Sequence, residues 1–177
     1  MNTKFLWPLV AFLLLVGVFV IGLQKDPSRI PSPLVDNPAP VFSLPSLQDP
    51  EVMVGSATYE NQIVLVNIWA TWCVGCRQEH DFLMDLAEED VVPIFGLNWR
   101  DNRPDALQWL EKLGDPYMAS AFDPDGRVGI DWGAYGAPET FLVDQNGVVV
   151  HKHFAPLTRE IWDSDFVPLI QQLEQGQ

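Results

Sequence analysis

The segment Val64–Cys76, VLVNIWATWCVGC, constrains this chain more than any other. Gln62 to Ala70 is a near-continuous apolar run rich in Val and Ile, the pattern of a parallel strand buried on both faces. It leads directly into Trp72-Cys73-Val74-Gly75-Cys76, where helical spacing begins (Phe82, Leu83, Leu86 and Ala87). Both cysteines of the 177-residue chain lie in this one motif. A buried strand that turns into a helix at a Cys-x-x-Cys pair puts two sulfurs at a helix N-terminus. The unpaired N–H groups and the dipole there favour a thiolate.

Four chemistries fit two cysteines at this spacing. A structural disulfide over so tight a loop stabilises by only about 2 kcal/mol in the loop-entropy account and reduces easily. Covalent haem attachment needs His after the second cysteine, and Arg77 stands there. Zinc needs two further ligands. His80 is the one nearby, and on sequence it reads as a solvated helix residue; His151 and His153 lie far along the chain. Thiol–disulfide exchange fits position and residue type best, with Cys73 at the exposed edge attacking first and Cys76, one turn in, resolving. It requires no cofactor beyond the Cys73–Cys76 disulfide, and no metal.

The rest of the domain reads as α/β. Val41-Phe42-Ser43-Leu44 is a short edge strand. Val91–Trp99 is a second buried strand, and Pro104–Leu113 is an amphipathic helix stopped by Gly114. Thr140–Val143 and Val148–Phe154 flank Asp144-Gln145-Asn146-Gly147, whose Asn-Gly pair signals an antiparallel hairpin. Thr158–Leu173 is a closing helix. The order β-α-β-α, then β-β-α, implies a mixed central sheet flanked by helices.

The N-terminus is different in kind. Phe5–Leu23 is an uncharged apolar run between Lys4 and Lys25, long enough as a helix to span roughly 28 Å. A cleaved signal peptide is the competing reading, but its apolar core is shorter and Ile21-Gly22-Leu23-Gln24 is a poor cleavage site. We read residues 1–24 as an anchor, 25–40 as a proline-rich tether and 41–177 as the globular domain. Acids outnumber bases 24 to 10, giving a net charge of -14, which excludes a phosphate-binding, nucleic-acid role.

The strand with Trp-Cys-x-x-Cys, the run Tyr135-Gly136-Ala137-Pro138-Glu139-Thr140-Phe141-Leu142 and the closing hairpin and helix resemble thioredoxin-fold proteins. More narrowly, they resemble the membrane-anchored cytochrome c maturation reductases of the DsbE/CcmG family. On the residues alone Pro138 favours an ordinary trans strand start; the resemblance implies a cis-proline facing the disulfide. It also implies that Glu79 and Glu139 tune the cysteines and their protons. In isolation Glu79 reads as a solvated helix face and Glu139 as a strand-end charge. Asn67 stands where general thioredoxins carry a buried Asp, so a glutamate would substitute as proton acceptor. Trp72 flanks the nucleophile. Val41–Glu60 would be the branch's extra N-terminal hairpin, and Pro116–Ala134 either its groove-shaping insertion or a plain acidic loop.

The implied function is disulfide reduction in c-type cytochrome biogenesis at the inner membrane, with the domain in the periplasm. The substrate would be apocytochrome c or a maturation thiol protein, and the electron donor a transmembrane thiol carrier. A general exported reductase, and a tethered binding module or chaperone with incidental cysteines, are the alternatives.

Overall fold

Six buried residues in a row at Val64–Trp69 and again at Ile94–Trp99, mostly apolar, leave no strand face free for water, so these two strands form the centre of a covered sheet. The computed structural model describes residues 6–23 and 33–176. The chain divides into two units, Met1–Ile30 and Pro31–Gln177.

In the first unit, helix α1 covers Leu6–Leu23 and carries no charged residue. Its side chains are described over residues 7–19, about 20 Å of helix against a hydrocarbon core of roughly 30 Å. Among the described residues no helix is long and apolar enough to cross a membrane. The spanning helix expected over Phe5–Leu23 extends beyond those side chains.

In the second unit, β1 (Ser43–Pro45) and β2 (Met53–Gly55) form an antiparallel pair, followed by a 3-10 turn at Ser56–Tyr59. Then come β3 (Val64–Trp69), α2 (Val74–Glu89), β4 (Ile94–Trp99), α3 (Arg103–Leu113), β5 (Ala119–Asp123) and α4 (Arg127–Asp131). The chain closes with β6 (Glu139–Val143), β7 (Val149–Phe154), α5 (Arg159–Ile161), a π turn at Trp162–Phe166 and α6 (Val167–Gln175). The five-stranded sheet has the order β5-β4-β3-β6-β7. β3, β4 and β5 run parallel; β6 is antiparallel to both β3 and β7.

Side chains alternate between the two faces of this sheet, and the two faces differ. Leu65, Ile94 and Leu142 point to the face covered by α2, α3 and α6, where Leu83, Leu86, Ala106, Leu110, Phe166 and Ile170 complete the core. Val64, Val66, Ile68, Phe95, Leu97 and Phe141 point to the other face, against Trp132, Val128 and Tyr59. The cysteines belong to the first face.

Two expectations differ from the structure. Pro116–Ala134 contains a fifth strand, β5, as well as the acidic turn. Its small residues and terminal Asp hide the strand pattern. It is ordered by pairing with β4 and by Leu47 N–H donating to Ser120 O. Its Asp123 carboxylate is buried because it accepts Gly129 N–H. The tether expected over residues 25–40 does not reach Pro40, and its residues 25–32 lie outside the described residues. Asp36 N–H donates to Val149 O, Ala39 N–H to Gly147 O and Val149 N–H to Asn37 O, so the segment is fastened to the β7 end of the sheet.

Candidate active site

β3 delivers the chain to the reactive turn, and a carboxylate fixes the corner. Asp101, in the loop after β4, accepts both Thr71 N–H and Thr71 Oγ1–H at 2.6 Å. The same carboxylate accepts Asn98 Nδ2 (2.9 Å) and Asn102 N–H (2.8 Å). Cys73 is the N-cap of α2, and its Sγ accepts the backbone N–H of Cys76 at 2.9 Å. A cap that is itself the sulfur places the helix's orphan donors on the atom that must carry negative charge.

Cys73 and Cys76 are joined as a disulfide, S–S 2.17 Å. Their residues are only 4% and 3% exposed, so Cys73 does not stand open as expected from sequence. The exposed surface around it comes from its neighbours: Trp72 is 53% and Val74 75% accessible. Trp72 is held in place, since its Nε1 donates to Arg100 O at 3.0 Å and its ring lies 6.1 Å from that of Trp99.

The Ala137–Pro138 peptide is cis. Pro138 packs on the motif itself: a Cβ at Gly75 would lie 2.7 Å from Pro138 Cδ and 3.1 Å from Pro156 Cγ. The second intervening residue is glycine because two prolines occupy the space a side chain needs.

The two glutamates occupy opposite faces. Glu79 sits one turn after Cys76 on the same buried stripe of α2 and is 1% exposed. Its Oε2 accepts Leu157 N–H at 2.7 Å and its Oε1 accepts Asn67 Nδ2 at 2.9 Å. Burial pushes its carboxyl up to about 7, against those two hydrogen bonds. Asn67 has no spare polar atom. Its Nδ2 also donates to Thr140 Oγ1 (3.1 Å), and its Oδ1 accepts the Tyr117 hydroxyl (2.9 Å). Burial, with the charges of Glu79 and Asp115, pushes the Tyr117 phenol well above its usual range.

Glu139 is fully buried on the other face, opposite Ile68 in the β3–β6 register. Its Oε1 accepts Tyr135 N–H (2.7 Å) and Gly136 N–H (3.2 Å), and its Oε2 lies 2.8 Å from Lys152 Nζ. Lys152 also donates to Gly133 O and lies over the Tyr135 and Phe141 rings. This carboxylate faces the loop that precedes the cis-proline, with the sheet between it and Glu79.

His80 is a correction to the sequence reading. It is 2% exposed: Nδ1 accepts Trp109 Nε1 at 3.2 Å and Nε2 lies 3.1 Å from Gly114 O. With one nitrogen accepting, the other donates, so the ring is neutral, and burial lowers its pKa. The solvated-face reading of Glu79 is corrected likewise, whereas Glu139 does stand at a strand end, the start of β6, but buried and paired. No group of three or more metal-capable side chains occurs among the described residues.

Sequence reasoning missed Tyr117, Asp101, Thr140 and Lys152. Lys152 carried a usable signal: strand alternation puts it on the face of Phe141 and Glu139, where a lysine needs an acid. Tyr117 and Asp101 lie in loops, whose placement no periodicity encodes.

A disulfide capping a helix, packed against a cis-proline on a five-stranded mixed sheet, defines a thioredoxin-fold thiol–disulfide oxidoreductase. The Redoxin family model matches residues 34–167. A secreted thiol-disulfide isomerase of Corynebacterium glutamicum superposes with TM-score 0.65 at 26% identity, covering 75% of this chain and 85% of its own. The thiol:disulfide interchange protein DsbE of Allochromatium vinosum is 49% identical over 99% of both chains. That of Pseudomonas aeruginosa is 44% identical over 95% of this chain and 93% of its own. The chain belongs to the DsbE family of thiol:disulfide interchange proteins.

Proposed function

We propose that this protein is a membrane-anchored reductase that opens disulfides in the periplasm during c-type cytochrome biogenesis. The observation that carries the chemistry is Cys76 N–H donating to Cys73 Sγ at the start of α2, which favours the Cys73 thiolate once the disulfide is reduced.

The reduced Cys73 thiolate attacks one sulfur of a substrate disulfide. A Cys73–substrate mixed disulfide forms and the other substrate sulfur leaves as a thiolate. Cys76 then loses its proton to the Glu79 carboxylate and attacks Cys73 Sγ. The protein disulfide forms, and the second substrate sulfur leaves and takes up a proton. The substrate gains two electrons and the protein loses two. A transmembrane thiol carrier returns them by the same exchange in reverse. Pro138 offers its backbone edge to the substrate segment, and Trp72 flanks it.

The apocytochrome c or partner-thiol substrate rests on membership of the DsbE family and on the resemblance in sequence. The anchor rests on the uncharged run Phe5–Leu23, and the inner-membrane position on the resemblance in sequence to the membrane-anchored DsbE/CcmG proteins. A full-length Cys76→Ser variant tests both. It should accumulate Cys73-linked mixed disulfides with apocytochrome c or a maturation thiol protein, in the membrane fraction. An absence of trapped partners, together with intact cytochrome c maturation in Cys73→Ser cells, would falsify the reading. Recovery of many unrelated exported proteins would favour a general reductase instead.

A further inference from the structure

One cross-strand row beneath the disulfide helix is polar on four of its five strands. Thr140 on β6, Asn67 on β3, Gly96 on β4 and Ser120 on β5 are register partners in sequence, with His153 on β7 beyond Thr140. All but Gly96 are assigned polar side chains, and those of Thr140, Asn67 and Ser120 are wholly buried. Tyr117, from the loop between α3 and β5, reaches this row from outside the sheet. Its ring stacks on Trp69 at 5.4 Å and its hydroxyl donates to Asn67 Oδ1.

An asparagine amide has two ends of similar shape and opposite chemistry. With Nδ2 toward Glu79, it donates to a carboxylate. Turned over, it would present Oδ1 to the same oxygen and require a proton there. Thr140 Oγ1 can accept or donate, so it does not choose between these states. The Tyr117 hydroxyl biases the choice: turned over, the amide would offer it Nδ2, and its buried proton would lose Asn67 Oδ1, the acceptor it has in the observed orientation. We propose that Tyr117 is a positioning residue for the exchange reaction, locking the Asn67 amide so that Glu79 is held as a proton acceptor for Cys76. This rests on the assignment of Glu79 as that acceptor.

The surroundings leave this lock as the main lever. Among titratable groups on the elements around Glu79, Tyr117 is neutral and His153 lies one strand beyond Thr140. His80, on the same helix, is tied to Gly114 and Trp109. Arg77 on α2 pairs with Asp81, and Asp115 in the Tyr117 loop accepts from Gln48. Glu139 and Lys152 are on the opposite face of the sheet. His151 on β7 lies 4.9 Å from the Phe166 ring, and the two cysteines join the titratable groups when reduced. Burial already raises the Glu79 carboxyl to about 7, so the loss of one donor moves it through the working range.

The test follows the reduced full-length protein in detergent reacting with 5,5′-dithiobis(2-nitrobenzoate). The first coloured thiolate reports attack by Cys73, and the second reports resolution by Cys76. In the wild type the resolving rate should rise through a limb near the Glu79 carboxyl's pKa. Tyr117→Phe keeps the ring and removes the hydroxyl. It should move that limb up by about one pH unit and slow resolution roughly tenfold below it, because the Glu79 proton is held more tightly. A packing defect alone would slow the rate equally at every pH. Asn67→Val should shift the limb at least as far, and the double variant no further than Asn67→Val alone.

If Glu79→Gln retains the limb, the acceptor assignment fails and the proposal falls with it. If Glu79→Gln abolishes the limb but Tyr117→Phe leaves it at the wild-type pH, the acceptor stands and the lock is wrong. Additive shifts in the double variant would also overturn the lock. Should Tyr117→Phe not fold, Asn67→Val decides alone, a limb at the wild-type pH being the contrary result.

Discussion

Glu79 and Glu139 are both buried, and they solve burial in opposite ways. Glu139 has a cation, Lys152, 2.8 Å away, and two backbone donors from the loop before Pro138. Glu79 has two donors and no cation, and its carboxyl rises to about 7. A paired carboxylate sits beside its cation and holds a loop. An unpaired one keeps its proton within reach of neutral pH, which a group that exchanges protons with a thiol requires. The difference teaches that two acids of one type, one three residues after Cys76 and one directly after Pro138, take opposite environments from the face they occupy.

The largest effect should come from breaking the paired side. Lys152→Met leaves the Glu139 charge buried alone and should cost about 3–5 kcal/mol, read from urea unfolding at pH 7. Glu139→Gln with Lys152→Met should recover most of that loss. A single variant as stable as the wild type would mean that the pair is solvated and the contrast false.

The unpaired side should show itself in pH dependence. The folded Glu79 pKa is raised from 4.5 to about 7, so the folded state binds the proton more tightly. Its contribution is fully present below about 4.5 and is lost as pH rises through 7, a fall of about 3 kcal/mol. In the oxidised protein, unfolding free energy for the wild type minus that for Glu79→Gln should decline over this window and then level. A flat difference would remove the distinction between the two glutamates.

A smaller effect should appear where the two faces meet, at the turn Pro138 shares with Gly75. Gly75→Ala places a methyl against two proline rings and should cost about 1–3 kcal/mol while slowing exchange. The smallest belongs to an ion pair outside both environments. Arg77–Asp81 is exposed, and Arg77→Ala should change stability by less than about 0.5 kcal/mol. A loss as large as that of Lys152→Met would show that burial is not what separates the charged pairs.

The core of the site was legible in the chain because its signals are local. A near-continuous apolar strand, a Cys-x-x-Cys pair at the start of a helix stripe, and Asn-Gly between two strands each arise from neighbours in sequence. They placed Cys73 and Cys76, β3, α2 and the hairpin. The resemblance added the cis peptide at Pro138, against the ordinary preference of a proline at a strand start. β5 was missed because ASAFD, at an edge, is ordered by β4 and the segment after β1 rather than by its own pattern.

The sequence by itself determined the strand–turn–helix that carries the sulfurs, since periodicity and helix-start chemistry need no distant partner. Only the tertiary structure decided what surrounds them. Asn67 meets Tyr117 fifty positions away, Glu79 meets Leu157 seventy-eight away, and Thr71 meets Asp101 thirty away. Those contacts depend on strand register, which sets the face each side chain takes. A one-residue slip of β6 would turn Glu139 to the face of Glu79 and take Thr140 away from Asn67.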